Sequence, residues 1–235
     1  MREVAVVGAA MTKFGISRKS NLEMFAEAGL EAIGQSNLEP KALQALFFGN
    51  CLGDFEEGQL HMAPFAHAEL GLRIDAPATR FESSCATATV AIRHAALLVG
   101  AGVYDAVLAG GSERATRMGT PLATRTFAMA SHAQYEGPAG ITFPGVFAMA
   151  AHMYAGKYKI PLPELKRNMA EVAVKNHCGF TAESDLRFYR VLDRRLFQTF
   201  FPEPFLIHII NTASSKYPFY IFIFQERGGV PAKGP

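Results

Sequence analysis

The 235-residue chain has little cysteine: Cys51, Cys85 and Cys178 are odd in number, scattered, and form no close pair at metal-ligand or redox spacing. Neither a disulfide scaffold nor a cysteine-built metal centre is expected, and a reducing, cytoplasmic setting fits best. It also lacks a dominant charge, with 23 Lys and Arg against 21 Asp and Glu, a formal net charge of +2. No basic block interleaves with aromatics as a nucleic-acid surface requires, so nucleic acid is excluded as a partner. No apolar run reaches the roughly 18 residues of a membrane span, and the late stretch Phe219 to Phe224 falls far short. The opening Met1-Arg2-Glu3 leads into Val4 to Val7 and then Gly8, too brief an apolar segment for a signal peptide. Gly8-Ala9-Ala10-Met11 lacks the Gly-x-Gly-x-x-Gly spacing of a dinucleotide loop, which argues against nicotinamide and flavin.

What the chain does have is apolar content, 49% of its residues, enough for a sizeable buried core. Val4 to Val7 reads as a β-branched strand buried on both faces of a parallel sheet. Ser20 and Glu23 form a capping box, after which Leu22, Phe25, Ala26, Gly29, Leu30 and Ile33 make a helical stripe. Ala45 to Phe48, Thr79 to Glu82 and Asp105 to Ala109 read as further strands, with a helix over 59–70 between the first two. Cys85 to Val99 is apolar on all sides, from Ala86 and Ala88 to Leu97 and Leu98, so a deeply buried central helix is predicted. Alternating strands and helices give an α/β domain with a mainly parallel sheet.

From Met118 to about Gly140 the pattern loosens, and two helices follow, Pro144 to Lys157 and Pro163 to His177, each opened by proline. Composition then shifts: Leu186 to Arg227 contains no glycine, and phenylalanine and tyrosine become concentrated. Phe205 to Ile210 and Tyr217 to Phe224 are candidate strands there. The organisation expected is therefore a core over 1–117, a loop region over 118–177 and a divergent tail over 178–235.

Cys85 falls at a strand-to-helix junction, Phe81-Glu82-Ser83-Ser84-Cys85-Ala86-Thr87, where helix N-terminal amides favour a thiolate. A thiolate so placed can attack a thioester carbonyl and carry the acyl group. The bland alternative is an inert buried cysteine packing as a small hydrophobe.

Several segments follow one another along the chain: Val6 to Gly15, Phe48-Gly49-Asn50, Ser83-Ser84-Cys85-Ala86-Thr87, Ala109-Gly110-Gly111-Ser112-Glu113, Thr142-Phe143-Pro144 and Val172 to His177. Together they resemble the front half of a thiolase, in the branch of sterol-carrier-type and archaeal acetyl-CoA acetyltransferases. The resemblance covers about three quarters of the chain. It implies one βαβαβ-type half of the thiolase fold plus part of its loop domain. It also implies acyl transfer between coenzyme A thioesters through Cys85, with no covalently bound cofactor and no metal.

Two departures stand out. Ala88 occupies the place three positions after the cysteine where that family usually has glycine. The family's Gly-His-Pro loop, its His or Asn motif and its second, acid-base cysteine have no counterpart after His177, and none of His61, His67, His94, His132, His152, His177 and His208 precedes a proline. Cys178 lies beside Gly179 outside any such motif and is not assigned. Because the family stacks two similar halves on the cysteine helix, a second copy or a partner subunit is expected to cover that helix here. The competing expectation is a non-catalytic scaffold or subunit-binding protein, and a third is a shifted reading frame in the tail.

Weaker features are read as structural. Gly110-Gly111-Ser112-Glu113 matches no phosphate-loop fingerprint and is expected to be a turn. His61 and His67 are not at a spacing that places them on one helix face as a metal pair. Arg187, Arg190, Arg194 and Arg195 are expected to form a solvated face.

Overall fold

The computed structural model of the chain describes residues 2–13, 16–181 and 221–226. These fall into two units, one containing the residues up to Arg117 together with 221–226, the other beginning at Met118.

The first unit is a five-stranded sheet with helices on both faces. In chain order it contains β1 (Val4–Ala10), α1 (Asn21–Ser36), β2 (Leu46–Gly49), α2 (Gly53–Glu56), α3 (Met62–Glu69), β3 (Ala78–Phe81), α4 (Thr87–Gly100), β4 (Ala106–Gly111) and, after the helices of the second unit, β5 (Ile221–Glu226). The sheet order is β1-β5-β4-β2-β3. β2 pairs in parallel with β3 and β4, whereas β5 runs antiparallel to both β4 and β1. Four strands thus point one way and the sheet is mainly parallel.

The period of two in a strand divides the core. Leu46 and Phe48 of β2, with Ala106 and Leu108 of β4, face α1 and α3, packing with Phe25, Ala28, Ala32, Met62, Ala66 and Leu70. Phe47, Val107 and Ala109 face the other way, onto Ala91, Ala95 and Val99 of α4. Phe25 meets Phe48 edge to face with ring centroids 4.5 Å apart. The capping box of α1 is formed as expected: Glu23 N donates to Ser20 Oγ and Ser20 N donates to Glu23 Oε2.

Three expectations need correction. β1 is an edge strand, not one buried on both faces: Val6 is 52% exposed, and the register slips between Val6 and Gly8. Its partner is β5, which reaches it from beyond the loop region of the sequence. In α1, Leu30 is exposed and Ala28 and Ala32 are buried, so the stripe is rotated toward the small residues that let helix and sheet approach closely. α4 buries only one face, through Thr87, Ala91, Ala95 and Val99, while Thr89, Arg93 and Leu97 are exposed. Alanine and leucine around its circumference record a composition suited to burial on both sides; this chain supplies the sheet side.

The second unit contains α5 (Gly119–Ala128), α6 (Phe143–Tyr158) and α7 (Leu162–Thr181). α5 lies in the stretch read as loose, where threonine and glycine masked the helical signal. α6 starts as its sequence demands: Thr142 Oγ1 accepts the Gly145 amide at 3.2 Å, with Pro144 in the first turn. Among the described residues no helix is long and apolar enough to cross a membrane. Phe205 to Ile210 and the arginines 187, 190, 194 and 195 lie outside the described residues. Of the candidate strand Tyr217 to Phe224, the described part belongs to β5, and Ile223 is fully buried in the core.

Candidate active site

Parallel pairing brings the C-terminal ends of β2, β3 and β4 to one level, since Gly49 is in register with both Phe81 and Gly111. Such strand ends are where α/β sheets carry their chemistry. The residues that follow each strand, Asn50-Cys51, Glu82 to Cys85 and Ser112-Glu113, therefore meet. Two glycines make the approach possible. A β-carbon on Gly111 would stand 2.4 Å from the Gly49 carbonyl oxygen, and one on Gly49 would stand 3.0 Å from Ala88 Cα at the start of α4. Ala88, the departure from glycine, thus packs its backbone against a residue without a side chain.

Asn50 is the buried hub of this edge. Its Nδ2 donates to the Ser112 carbonyl at 2.9 Å and to Glu113 Oε1 at 3.3 Å, while its Oδ1 accepts from Gly53 N and Arg80 Nη2, both at 3.0 Å. Arg80 continues to the Asp54 carboxylate. Glu113 Oε2 accepts two backbone amides, Cys51 N at 2.8 Å and Leu52 N at 3.1 Å. Burial pushes the Glu113 carboxyl up to about 7, against the pull of those amides and with help from the charge of Glu56. Behind this edge, Arg114 bridges Glu56 at 2.7 Å and Glu57 at 3.0 Å, and all three side chains are almost wholly buried.

The two described cysteines at this edge differ in kind. Cys51 is half-buried, its thiol donates to Glu82 Oε1 at 3.5 Å, and burial together with the charges of Glu113 and Glu82 pushes it up to about 12. It stays a protonated thiol at neutral pH. Cys85 is exposed. It sits in the one-turn 3-10 segment Ser84–Ala86 that leads into α4. That turn is tied by Thr87, whose hydroxyl accepts the Ser83 amide at 2.8 Å and donates to the Ser84 carbonyl at 2.6 Å. The N-cap residue of α4, Ala86, supplies no side-chain cap. Sulfur, helix start and solvent thus meet at one point.

Of the histidines read from the sequence, His67 and His94 are hydrogen bonded to residues outside this edge, although His94 packs on Phe81 at the end of β3. His61 caps α3 in a left-handed conformation, His67 is hydrogen bonded to the Arg73 carbonyl, and His94 is bonded to the Val90 carbonyl with its ring on Phe81. Cys178 lies in α7. From the sequence Asn50 stands only as part of the segment Phe48-Gly49-Asn50 and Cys51 only as a scattered cysteine, and of the expected turn Gly110 to Glu113 the two glycines belong to β4. The available signal was a polar pair directly after the terminal glycine of each of two buried strands.

The fold recurs among solved structures. An acetyl-CoA acetyltransferase from Syntrophomonas wolfei matches with a TM-score of 0.64 at 15% identity, over 96% of this chain and 65% of that one. Human mitochondrial 3-ketoacyl-CoA thiolase, solved in complex with CoA, matches with a TM-score of 0.65 at 16% identity, over the same shares. At those identities the likeness concerns fold, which is that of a thiolase half. In sequence, residues 4–189 match the thiolase N-terminal domain. The chain is 36% identical over 166 residues to an acetyl-CoA acetyltransferase of Methanocaldococcus jannaschii, covering 70% of this chain and 42% of that protein. It is 35% identical over 178 residues to the acetyl-CoA acetyltransferase of Methanothermobacter thermautotrophicus, covering 75% and 45%. The chain belongs to the thiolase family, and it spans less than half the length of these two relatives.

Proposed function

We propose that Cys85 accepts an acyl group from a coenzyme A thioester. The thiolate attacks the thioester carbonyl, the carbonyl-to-sulfur bond of the donor breaks, and coenzyme A leaves as a thiolate that takes a proton from solvent. Cys85 stands in the turn that leads into α4, and backbone amides at a helix start are the kind of donor that stabilises the oxyanion of an attacked thioester. The observation that carries this reading is the contrast within one sheet edge: Cys85 is open to solvent at a helix start, while its neighbour Cys51 is kept as a thiol. A reducing compartment, where Cys85 stays free, belongs to the same reading.

Carbon-carbon bond formation needs an acid and a base at the acyl carbon. Glu113, whose oxygens are engaged by Asn50, Cys51 and Leu52, has no such role in this reading. We therefore assign acyl acceptance to these 235 residues and leave condensation to a second set of groups. The test is incubation with acetyl-CoA followed by intact mass and peptide mapping. One acetyl group on Cys85, absent from C85S, is the expected result; an unmodified Cys85 overturns the reading.

A second reading rests on the open side of α4. Exposed Leu97 and Arg93, beside half-buried Ile92 and Ala96, suit a helix covered by a second copy or a partner subunit, with the chain acting as a non-catalytic scaffold. A defined dimer or mixed complex in solution, without any acyl adduct, favours it.

A further inference from the structure

The turn that presents Cys85 is held on both sides of Ser84. This residue has φ 49°, in the left-handed region that is strained for a residue with a β-carbon. Its carbonyl receives the Thr87 hydroxyl, and its amide donates to Glu82 Oε1 at 2.6 Å. The same oxygen receives the Cys51 thiol at 3.5 Å, and Cys51 is in turn fixed through its own amide by Glu113. An unbroken line of contacts runs from Glu113 in the sheet edge, through Cys51 and Glu82, to the residue before Cys85. Glu82 Oε1 is thus the acceptor shared by the Ser84 amide and the Cys51 thiol. Its hydrogen bonding is what the turn uses.

Resting on the reading of Cys85 as the acyl acceptor, we propose that Glu82 is a positioning residue: it clamps the left-handed Ser84 turn so that the Cys85 thiol faces an incoming thioester. The Cys51 thiol serves as the second donor that keeps the carboxylate aimed at the Ser84 amide.

Two reciprocal substitutions separate reach from charge. E82Q keeps an acceptor oxygen at the same reach and loses the charge, while E82D keeps the charge and loses one methylene of reach. Rates of Cys85 acetylation by acetyl-CoA are followed by mass across pH, beside alkylation by iodoacetamide, which needs only an accessible thiolate. Loss of a hydrogen bond to a charged group corresponds to a change of about tenfold. E82D is expected to acetylate about tenfold more slowly than the unmodified chain at every pH, with alkylation not slowed, and E82Q to stay close to the unmodified rate. Wild-type behaviour of E82D, or an E82Q defect as large as that of E82D, overturns the clamp. If the unmodified chain takes no acetyl group, the acyl-acceptor reading fails instead, and the clamp is judged from hydrogen exchange at the Ser84 amide. Exchange about tenfold faster in E82D than in E82Q supports it, and equal exchange overturns it.

Discussion

Glu113 Oε2 lies 2.8 Å from the backbone nitrogen of Cys51, so the end of β4 holds the first turn after β2. The carboxyl is half-buried and its ionisation lies well above the ordinary value of 4.5, at about 7.

A pH dependence of stability follows. A folded-state value above the unfolded one means that the native chain binds the extra proton between about 4.5 and about 7. The associated stability is complete below about 4.5 and is lost as pH rises through about 7, by a few kcal/mol at most. Urea unfolding across this window is expected to show a decline for the unmodified chain and a flatter profile for E113Q. Equal slopes remove Glu113 as the cause.

The two cysteines are expected to label very unequally. With its thiol pushed up to about 12, Cys51 is a thiolate in only about one molecule in ten thousand at pH 8. Iodoacetamide at that pH is expected to modify the Cys85 peptide at least about 100-fold faster than the Cys51 peptide in the folded chain. Denaturant should erase most of the difference, because the burial and the carboxylate neighbours that suppress Cys51 vanish with the fold. Comparable native rates contradict the environment described for Cys51.

Arg114 is the cation between two buried carboxylates, with its side chain 10% exposed beside Glu56 at 2% and Glu57 at 9%. Its replacement by methionine leaves both acids without their partner and is expected to cost about 3–5 kcal/mol, read as a lower denaturation midpoint. Adding E56Q should restore part of that loss. A loss below about 1 kcal/mol in R114M places the ion pairs with exposed, weakly coupled ones.

Much of this was legible in the sequence because local chemistry and tertiary placement agree. The capping box at Ser20, the apolar runs of β2 and β4 and the prolines that open α6 and α7 each carry their own signal. The place of Cys85 between β3 and α4 was legible for the same reason. The clamp around it was not. Glu82 and Cys51 lie on different strand ends, and their meeting depends on the parallel register of β2 and β3, which no local pattern encodes. β5 was harder still: its six residues look like a strand, but nothing near them says that they enter between β1 and β4.

That insertion sets the order of events as the chain is made. Of the described elements β1 is made first, yet its hydrogen-bonding neighbour is made after all the others. Until then β1 and β4 each present an unpaired backbone row, the kind of edge that recruits a stray strand from another molecule. The nascent chain is therefore exposed to such pairing until β5 has been made, and its yield in a cell should track chaperone supply more closely than the final packing would imply.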